Sequence, residues 1–173
     1  MLRTIIAAAL LAATSTAALA HVSLETREAP IGASYKAVFR VPHGCKGAAT
    51  TKVRVQIPEG VIAVKPMPKP GWQLETVKGK YSKAYPYYHG ATLSEGVKEV
   101  SWGGGKLPDE HYDEFVLQGY LAPDLKPEMM LYFPVVQECE QGVERWIEIP
   151  EAGKSASDLE RPAAGLKLLP AKK

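Results

Sequence analysis

Residues 51–57 read T-K-V-R-V-Q-I, so that polar and β-branched apolar side chains alternate along the segment. Successive side chains of a strand point to opposite faces, which places Val53, Val55 and Ile57 on one side. The next three residues, P-E-G, are typical of a turn. The stretch therefore predicts a β-strand with one face in a hydrophobic core and the other in solvent.

The rest of the chain after residue 20 has the same character. Short β-branched and aromatic runs are separated by proline and glycine, and no long segment has the 3.6-residue period of a helix. Further strands are expected at residues 22–24, 35–41, 61–64, 72–77, 97–102, 113–121, 129–136 and 143–149. This pattern predicts an all-β sandwich of about eight or nine strands.

Three segments carry more specific expectations. Residues 78–95, which contain four tyrosines, are expected to be irregular or to form a loose hairpin. Met129 and Met130 are adjacent and point to opposite faces, so at least one is expected in the core. From Pro150 onward Gly, Pro, Ala and Lys dominate, which predicts an extended or mobile tail with a short helical turn near residues 157–160.

The first 20 residues have the features of a secretory signal peptide. Arg3 is followed by an apolar run at 5–13 and by Ala-Leu-Ala at 18–20. The run is shorter than the about 20 residues that span a bilayer, so we expect cleavage after Ala20 and a mature protein without a transmembrane segment. The expected organisation is a signal peptide at 1–20, one domain at 21–150 and an extension at 151–173, in a periplasmic or secreted protein.

Cleavage after Ala20 would make His21 the first residue. A histidine at that position offers a metal ion its free α-amine and its imidazole Nδ1. Copper(II) favours nitrogen-rich tetragonal chelates and leads the divalent affinity order. Thioethers suit Cu(I), and Met67 lies in a stiff Pro-Met-Pro context; packing in a core gap is the alternative role for this methionine.

Charge and cysteine content limit the function further. The formal net charge is +2, and loss of Arg3 leaves about +1, so electrostatics favour neither nucleic acid nor anionic membrane as a partner. Cys45 and Cys139 are the two cysteines. Export favours a disulfide between them, and a Cys/His metal pair with His43 is the alternative.

Strand parity suggests a special role for one tryptophan. In V-E-R-W-I-E-I at 143–149, we expect Val143, Ile147 and Ile149 to form the apolar face. Trp146 then lies between Glu144 and Glu148 on a polar face, where a large aromatic is unusual unless it covers something. Packing against a loop such as the tyrosine-rich segment is the simpler interpretation.

The other histidines do not form a recognisable ligand pattern. His43, His89 and His111 occur in none of the spacings H-x-H, H-x-x-x-H or H-E-x-x-H. The chain also contains no G-x-S-x-G or S-x-x-K motif. The sequence therefore predicts no catalytic residues, and we expect a protein that is not an enzyme.

Taken together, seven stretches resemble the YcnI-like copper-binding family, long catalogued as a domain of unknown function. They are A-H-V-S-L-E at 20–25, V-P-H-G-C at 41–45, T-T-K-V-R-V-Q-I-P-E-G-V at 50–61, V-K-P-M-P-K-P-G-W at 64–72, W-G-G-G-K-L-P at 102–108, Y-F-P-V-V-Q-E-C at 132–139 and R-W-I-E-I-P at 145–150. The resemblance covers nearly the whole mature chain and implies an Ig-like β-sandwich that is exported.

The resemblance also implies a copper site. Its single-histidine brace corresponds to His21, and its metal-proximal tryptophan to Trp146. Some members add a glutamate from the loop before P-G-W, but this chain has Met67 near that position. The third ligand is then Met67, which would favour Cu(I), or a carboxylate such as Glu144 or Glu148. The motifs around Cys45 and Cys139 fit a disulfide.

The implied function is copper capture, buffering or delivery, with a membrane copper transporter or another periplasmic chaperone as partner. Two rival classes remain. Copper monooxygenases also use an N-terminal histidine but add a second histidine to the same ion, which His43, His89 or His111 would have to supply. A metal-free Ig-like structural or interaction module is the other rival.

Overall fold

The computed structural model describes residues 21–172, and the predicted signal peptide lies outside this range. The described chain is all-β, with short 3₁₀ turns at Tyr88–Gly90 and Ala156–Asp158. Its twelve strands are β1 (Ser23–Leu24), β2 (Glu28–Pro30), β3 (Ser34–Val41), β4 (Thr50–Gln56), β5 (Val61–Pro66), β6 (Gln73–Pro86), β7 (Thr92–Leu107), β8 (Asp113–Leu121), β9 (Met130–Phe133), β10 (Val135–Cys139), β11 (Val143–Trp146) and β12 (Ala164–Leu169). Within residues 21–172, no helix is long and apolar enough to cross a membrane.

The strands form three sheets. The first sheet has the order β1-β3-β8-β5, and the second has the order β11-β10-β4-β7-β6. A smaller third sheet has the order β2-β12-β9, in which β12 runs parallel to β2 and antiparallel to β9. The predicted all-β sandwich is confirmed.

The core lies between the sheets and follows the alternation of the strands. Val53, Val55 and Ile57 are buried, as the T-K-V-R-V-Q-I stretch predicts. The largest fully buried side chains include Trp102 and Phe115, whose rings are 5.5 Å apart. This aromatic packing joins β7 of the second sheet to β8 of the first.

Pro134 divides the single strand that was predicted at 129–136. β9 ends at Phe133 and joins the third sheet, whereas β10 starts at Val135 and joins the second. Proline has no N–H to donate to a sheet ladder, so it marks the change of sheet. The prediction that Met129 or Met130 is buried is wrong, because both side chains are exposed.

The prediction of a mobile C-terminal tail is also wrong. β12 lies between β2 and β9 and directs Ala164, Leu166 and Leu168 into the core. The side chains of residues 164–169 are alternately buried and half-buried, and this burial depends on the partner strands on both sides of β12. The helical turn expected near 157–160 is present as the 3₁₀ turn, which a capping box at Ser155 stabilises.

The tyrosine-rich segment forms a hairpin with irregular pairing, which confirms the loose-hairpin alternative. β6 and β7 pair along most of their length, with register shifts after Val77 and after Lys80. Glu59 holds the hairpin to the β4–β5 turn by accepting hydrogen bonds from Tyr85, Ser82 and Lys98. The tyrosines thus build a second, smaller hydrophobic cluster outside the main core.

Candidate functional site

The rings of His21 and Trp146 lie next to each other, with centroids 5.5 Å apart and planes at 54°. His21 lies two residues before β1, which is the edge strand of the first sheet. Trp146 is the last residue of β11, which is the edge strand of the second sheet. The site is therefore formed where the edges of the two main sheets meet, and each sheet contributes one ring.

The structure reverses the predicted facing of β11. Trp146 is 3% exposed, whereas Val143, Ile147 and Ile149 are 47%, 43% and 55% exposed. The apolar face that the alternation predicted is thus the outer face, and Trp146 lies on the inner one. Trp146 belongs to the main hydrophobic core, and its ring also lies beside that of His21. The tyrosines form a separate cluster, so Trp146 packs in the interior but not against the tyrosine-rich segment.

Gln137 is the residue that holds Trp146 in this position. Its Oε1 accepts a hydrogen bond from Trp146 Nε1 at 3.0 Å. Its Nε2 donates to the His43 carbonyl oxygen and to Thr50 Oγ1, each at 2.7 Å. The Gln137 side chain is fully buried, and a buried polar network of this kind specifies one arrangement of its members.

Sequence reasoning did not identify Gln137. The sequence does contain an indication that Gln137 is buried. Phe133, Val135 and Gln137 occupy alternate positions along the chain, and the first two are fully buried. A glutamine that continues a buried parity must have hydrogen-bond partners inside the protein.

The disulfide between Cys45 and Cys139 is present, with an S–S distance of 2.03 Å. It joins the loop after β3 to the end of β10, and Cys45 lies beside the backbone of Gln137. Gly44 is required in this loop, because a Cβ there would lie 2.1 Å from the Ala48 carbonyl oxygen. The bridge therefore anchors the loop that carries His43 to the strand that carries Gln137, and the Cys/His metal pair is not formed.

His21 lies between two open clefts. One has a volume of about 440 Å³ and is lined by His21, Ser23, Arg40, Pro42 and Tyr112. The other, of about 420 Å³, extends along β1 and β12 and includes Arg27, Met130 and Tyr132. The Nε2 atom of His21 is buried without a hydrogen-bond partner among residues 21–172.

The structure does not bring Met67 to this site. Met67 follows β5, at the edge of the first sheet opposite to β1. Three strand spacings separate the two edges, which is roughly 14 Å. The Met67 carbonyl oxygen accepts a hydrogen bond from Trp102 Nε1, so its backbone is held on that side of the sandwich. One metal ion cannot contact both His21 and Met67 in this arrangement.

Glu144 and Glu148 are both bound to Arg161. Glu144 is nearly buried beside Trp146 on β11, and its Oε2 lies 2.7 Å from Arg161 Nε. Glu148 accepts a hydrogen bond from the Arg161 backbone N–H at 2.8 Å. The pKa of the Arg161 guanidinium is raised, first by its hydrogen bond with Glu144 and then by the surrounding carboxylates. This ion pair connects the segment before β12 to β11.

The remaining histidines lie in separate places. His43 is next in sequence to Pro42, which lines the cleft that also contains Arg40 and Tyr112. The Nδ1 atom of His43 lies 2.6 Å from the Gly44 carbonyl oxygen. His111 is exposed next to Tyr112, and His89 lies in the 3₁₀ turn of the distant β6–β7 hairpin. Among residues 21–172, no group of three or more His, Cys, Asp or Glu side chains is arranged to hold a metal.

A protein-family comparison matches residues 21–168 to the family described as "Domain of unknown function (DUF1775)". The chain belongs to this family. The match begins at His21 and extends through most of β12, so it includes both rings of the candidate site and the segment that was predicted as a tail. No curated protein matches the chain.

A solved structure confirms the class of the fold. This chain is similar to an uncharacterized protein from Nocardia farcinica, whose crystal structure was described as revealing an immunoglobulin-like fold. The TM-score is 0.63 at 25% sequence identity, over 86% of this chain and 98% of the other. The DUF1775 domain described here is therefore an Ig-like β-sandwich.

Proposed function

We propose that this DUF1775 protein, after removal of residues 1–20, binds copper through the α-amine and the imidazole Nδ1 of His21. The observation that carries the proposal is the position of the His21 ring beside Trp146, at the first residue of the folded domain. The similarity of seven stretches to the YcnI-like copper-binding family supports it.

The donor chemistry at His21 fits copper(II). The amine and Nδ1 of one histidine close a six-membered chelate ring, and copper(II) accepts nitrogen ligands in tetragonal geometry. In the proposed chelate, Nδ1 and the amine bind the ion, and Nε2 keeps its enclosed position. In the full-length chain the His21 nitrogen is an amide, so the chelate exists only in the processed protein.

Trp146 would cover one side of the ion. Its ring is held by Gln137 and cannot swing away without breaking a buried hydrogen bond. An aromatic surface excludes water from that side, while the two clefts beside His21 leave other directions open. Such a half-open site suits capture and release of copper better than permanent storage. Delivery to a membrane copper transporter or to another periplasmic chaperone follows from this proposal.

The test compares three processed forms of the protein. One begins at His21 with a free α-amine, one begins at His21 with that amine acetylated, and one has His21→Ala at the first position. We expect Cu(II) to bind the first form at one equivalent in isothermal titration calorimetry. We expect both other forms to bind at least about a hundredfold more weakly, because each lacks part of the chelate. Equal Cu(II) affinity in all three forms would refute the proposal.

Fluorescence identifies the position of the bound ion. Cu(II) close to an indole quenches its emission, and the protein has Trp72, Trp102 and Trp146. We expect most of the quenching to disappear in Trp146→Phe, while Trp72→Phe retains it. Quenching that is unchanged in Trp146→Phe would place the ion elsewhere.

The same preparations distinguish the rival classes. A processed protein that takes up no stoichiometric copper would be a metal-free Ig-like module. Oxygen-dependent oxidation of a polysaccharide by the copper-loaded form would instead indicate a monooxygenase.

A further inference from the structure

A third cleft, far from His21, lies between the exposed edge of the first sheet and the β6–β7 hairpin. It has a volume of about 390 Å³, and its lining includes Lys65, Lys78, Tyr81, Tyr87, Leu93 and Glu95. This volume lies within the range of small-molecule sites, which is roughly 300–1,000 Å³. β5 forms one wall, at the opposite edge of the first sheet from β1. We call it the tyrosine cleft.

The tyrosine cleft contains a buried hydroxyl without a partner. Tyr81 is 8% exposed, and its hydroxyl has no hydrogen-bond partner among residues 21–172. Burial raises the pKa of Tyr81, and the nearby Ala63 backbone opposes part of that shift. The hydroxyl occupies the space above Gly96, where a Cβ would lie 1.8 Å from it. Buried polar groups without partners are rare in proteins, so a ligand that offered one to this hydroxyl would gain a hydrogen bond.

The backbone of the same cleft is also unusual. Ala63 has a φ of 51°, in the left-handed region that residues with a Cβ seldom adopt. It lies within β5 at a register shift between Ile62 and Lys65. Backbone strain of this kind concentrates at binding sites, where it redirects side chains. Here it turns the strand beside the cleft that Ala63 and Lys65 both line.

The charges on the rim favour an anion. Lys65 and Lys78 are exposed and have no ion-pair partner among residues 21–172. Glu95 also lines the cleft, so the cations exceed the carboxylates on the lining by one charge. The interior is formed mostly by aromatic and aliphatic side chains.

We propose that the tyrosine cleft binds a small molecule with an apolar body and one carboxylate. The body packs against Tyr81, Tyr87 and Leu93, and the carboxylate pairs with Lys65 and Lys78. A polar atom on the body, at the Gly96 end, would give the Tyr81 hydroxyl its partner. This site does not depend on the copper proposal, because it lies at the other edge of the sheet.

The test uses 3-(4-hydroxyphenyl)propanoate as the probe, because its phenol supplies a polar atom for the Tyr81 hydroxyl, and 3-(4-hydroxyphenyl)propanamide as its neutral counterpart. Both are titrated into the processed protein, with backbone amide NMR shifts as the measurement. We expect saturable shifts confined to the cleft for the acid, with a Kd below about 1 mM. We expect the amide to bind at least about tenfold more weakly, because it cannot form the ion pairs. Equal binding of the two, or no saturation by the acid, would overturn the proposal.

Variants of the two lysines test the assigned contacts. The double variant Lys65→Gln with Lys78→Gln should bind the acid at least about tenfold more weakly than the parent protein. Lys36→Gln with Lys46→Gln is the charge-matched control, because Lys36 shares the register row of Lys65 through Gln118 but lies two strands away, and Lys46 lies in the disulfide loop. It should change the Kd less than about twofold. Equal weakening by the control would show a general charge effect and refute the site.

Gly96→Ala tests whether the space beside Tyr81 is needed for binding. The added Cβ would force the Tyr81 ring into the cleft, so binding of the acid should be lost while the lysines are intact. If this variant does not fold, the lysine variants and the neutral probe still decide the proposal.

Discussion

The indole Nε1 of Trp146 donates a hydrogen bond to Oε1 of Gln137 at 3.0 Å, and both side chains are buried. The same glutamine binds the His43 carbonyl oxygen and Thr50. One side chain thus connects β11, β10, β4 and the disulfide loop behind the ring that His21 contacts. The position of Trp146 is a property of this network rather than of β11 alone.

Gln137→Leu should therefore destabilise the protein by about 3 kcal/mol. It leaves the Trp146 N–H, the His43 carbonyl and the Thr50 hydroxyl buried without their partner, and unsatisfied groups cost about 1–3 kcal/mol each before relaxation. Urea unfolding measures the change in the free energy of unfolding. Gln56→Leu, on the exposed side of β4, is the control and should stay within about 0.5 kcal/mol. Equal effects of the two substitutions would mean that the network contributes nothing specific.

Glu59→Gln should weaken the attachment of the β6–β7 hairpin. Burial alone would raise the pKa of Glu59, but hydrogen bonds from Lys98, Ser82 and Tyr85 outweigh it and lower the pKa to about 2. The Glu59 side chain is 37% exposed, so solvent screening limits the expected loss of stability to about 1 kcal/mol.

The loss should depend on pH in a defined direction. A carboxylate with a lowered pKa in the folded state stabilises above its unfolded pKa, and this contribution disappears as the pH falls toward the folded value. The difference between Glu59→Gln and the parent should thus be constant above about pH 5.5 and shrink between about pH 4.5 and pH 2. Thermal unfolding across this range, with the exposed Glu75→Gln as control, measures it. A difference that grows as the pH falls would contradict the assignment.

Leu166→Ala should cost about 2–5 kcal/mol, because Leu166 of β12 is fully buried in the main core. Leu169→Ala, at the half-buried end of the same strand, should cost less than about 1 kcal/mol. Chemical denaturation of both variants gives the comparison. A loss below about 1 kcal/mol for Leu166→Ala would restore the interpretation of residues 151–173 as a dispensable tail.

Copper affinity of the processed protein should fall as the pH is lowered. A free α-amine has a reference pKa of about 7.7–8.0, and protons compete with the ion for it. Below that range, the apparent Cu(II) affinity should fall about tenfold per pH unit through the amine alone. Competition titrations at several pH values measure the slope. Affinity that does not change between about pH 7 and pH 5 would show that the amine is not a ligand.

Much of the sandwich was predictable because strand parity is a local property. The T-K-V-R-V-Q-I stretch carries apolar residues on one parity and polar residues on the other, so its buried face follows from the residues themselves. The segment at 143–149 differs, because valine and isoleucine occupy one parity while tryptophan sits between two glutamates on the other. Local alternation selected the wrong face there.

Partners from distant parts of the chain reverse that choice. Gln137 accepts the Trp146 N–H and Arg161 neutralises Glu144, so a face with a tryptophan and a carboxylate becomes the buried one. The same dependence explains β12, whose burial requires β2 and β9 on either side.

The sequence by itself therefore determined the fold class, favoured a bridge between the two cysteines and singled out His21 and Trp146 as a pair to examine. Only the tertiary structure decided that their rings are adjacent and that Met67 lies at the opposite edge of the sheet. The physical reason is that strand periodicity is encoded in neighbouring residues, whereas the order of strands in a sheet and the meeting of two sheet edges depend on contacts between residues far apart in the chain.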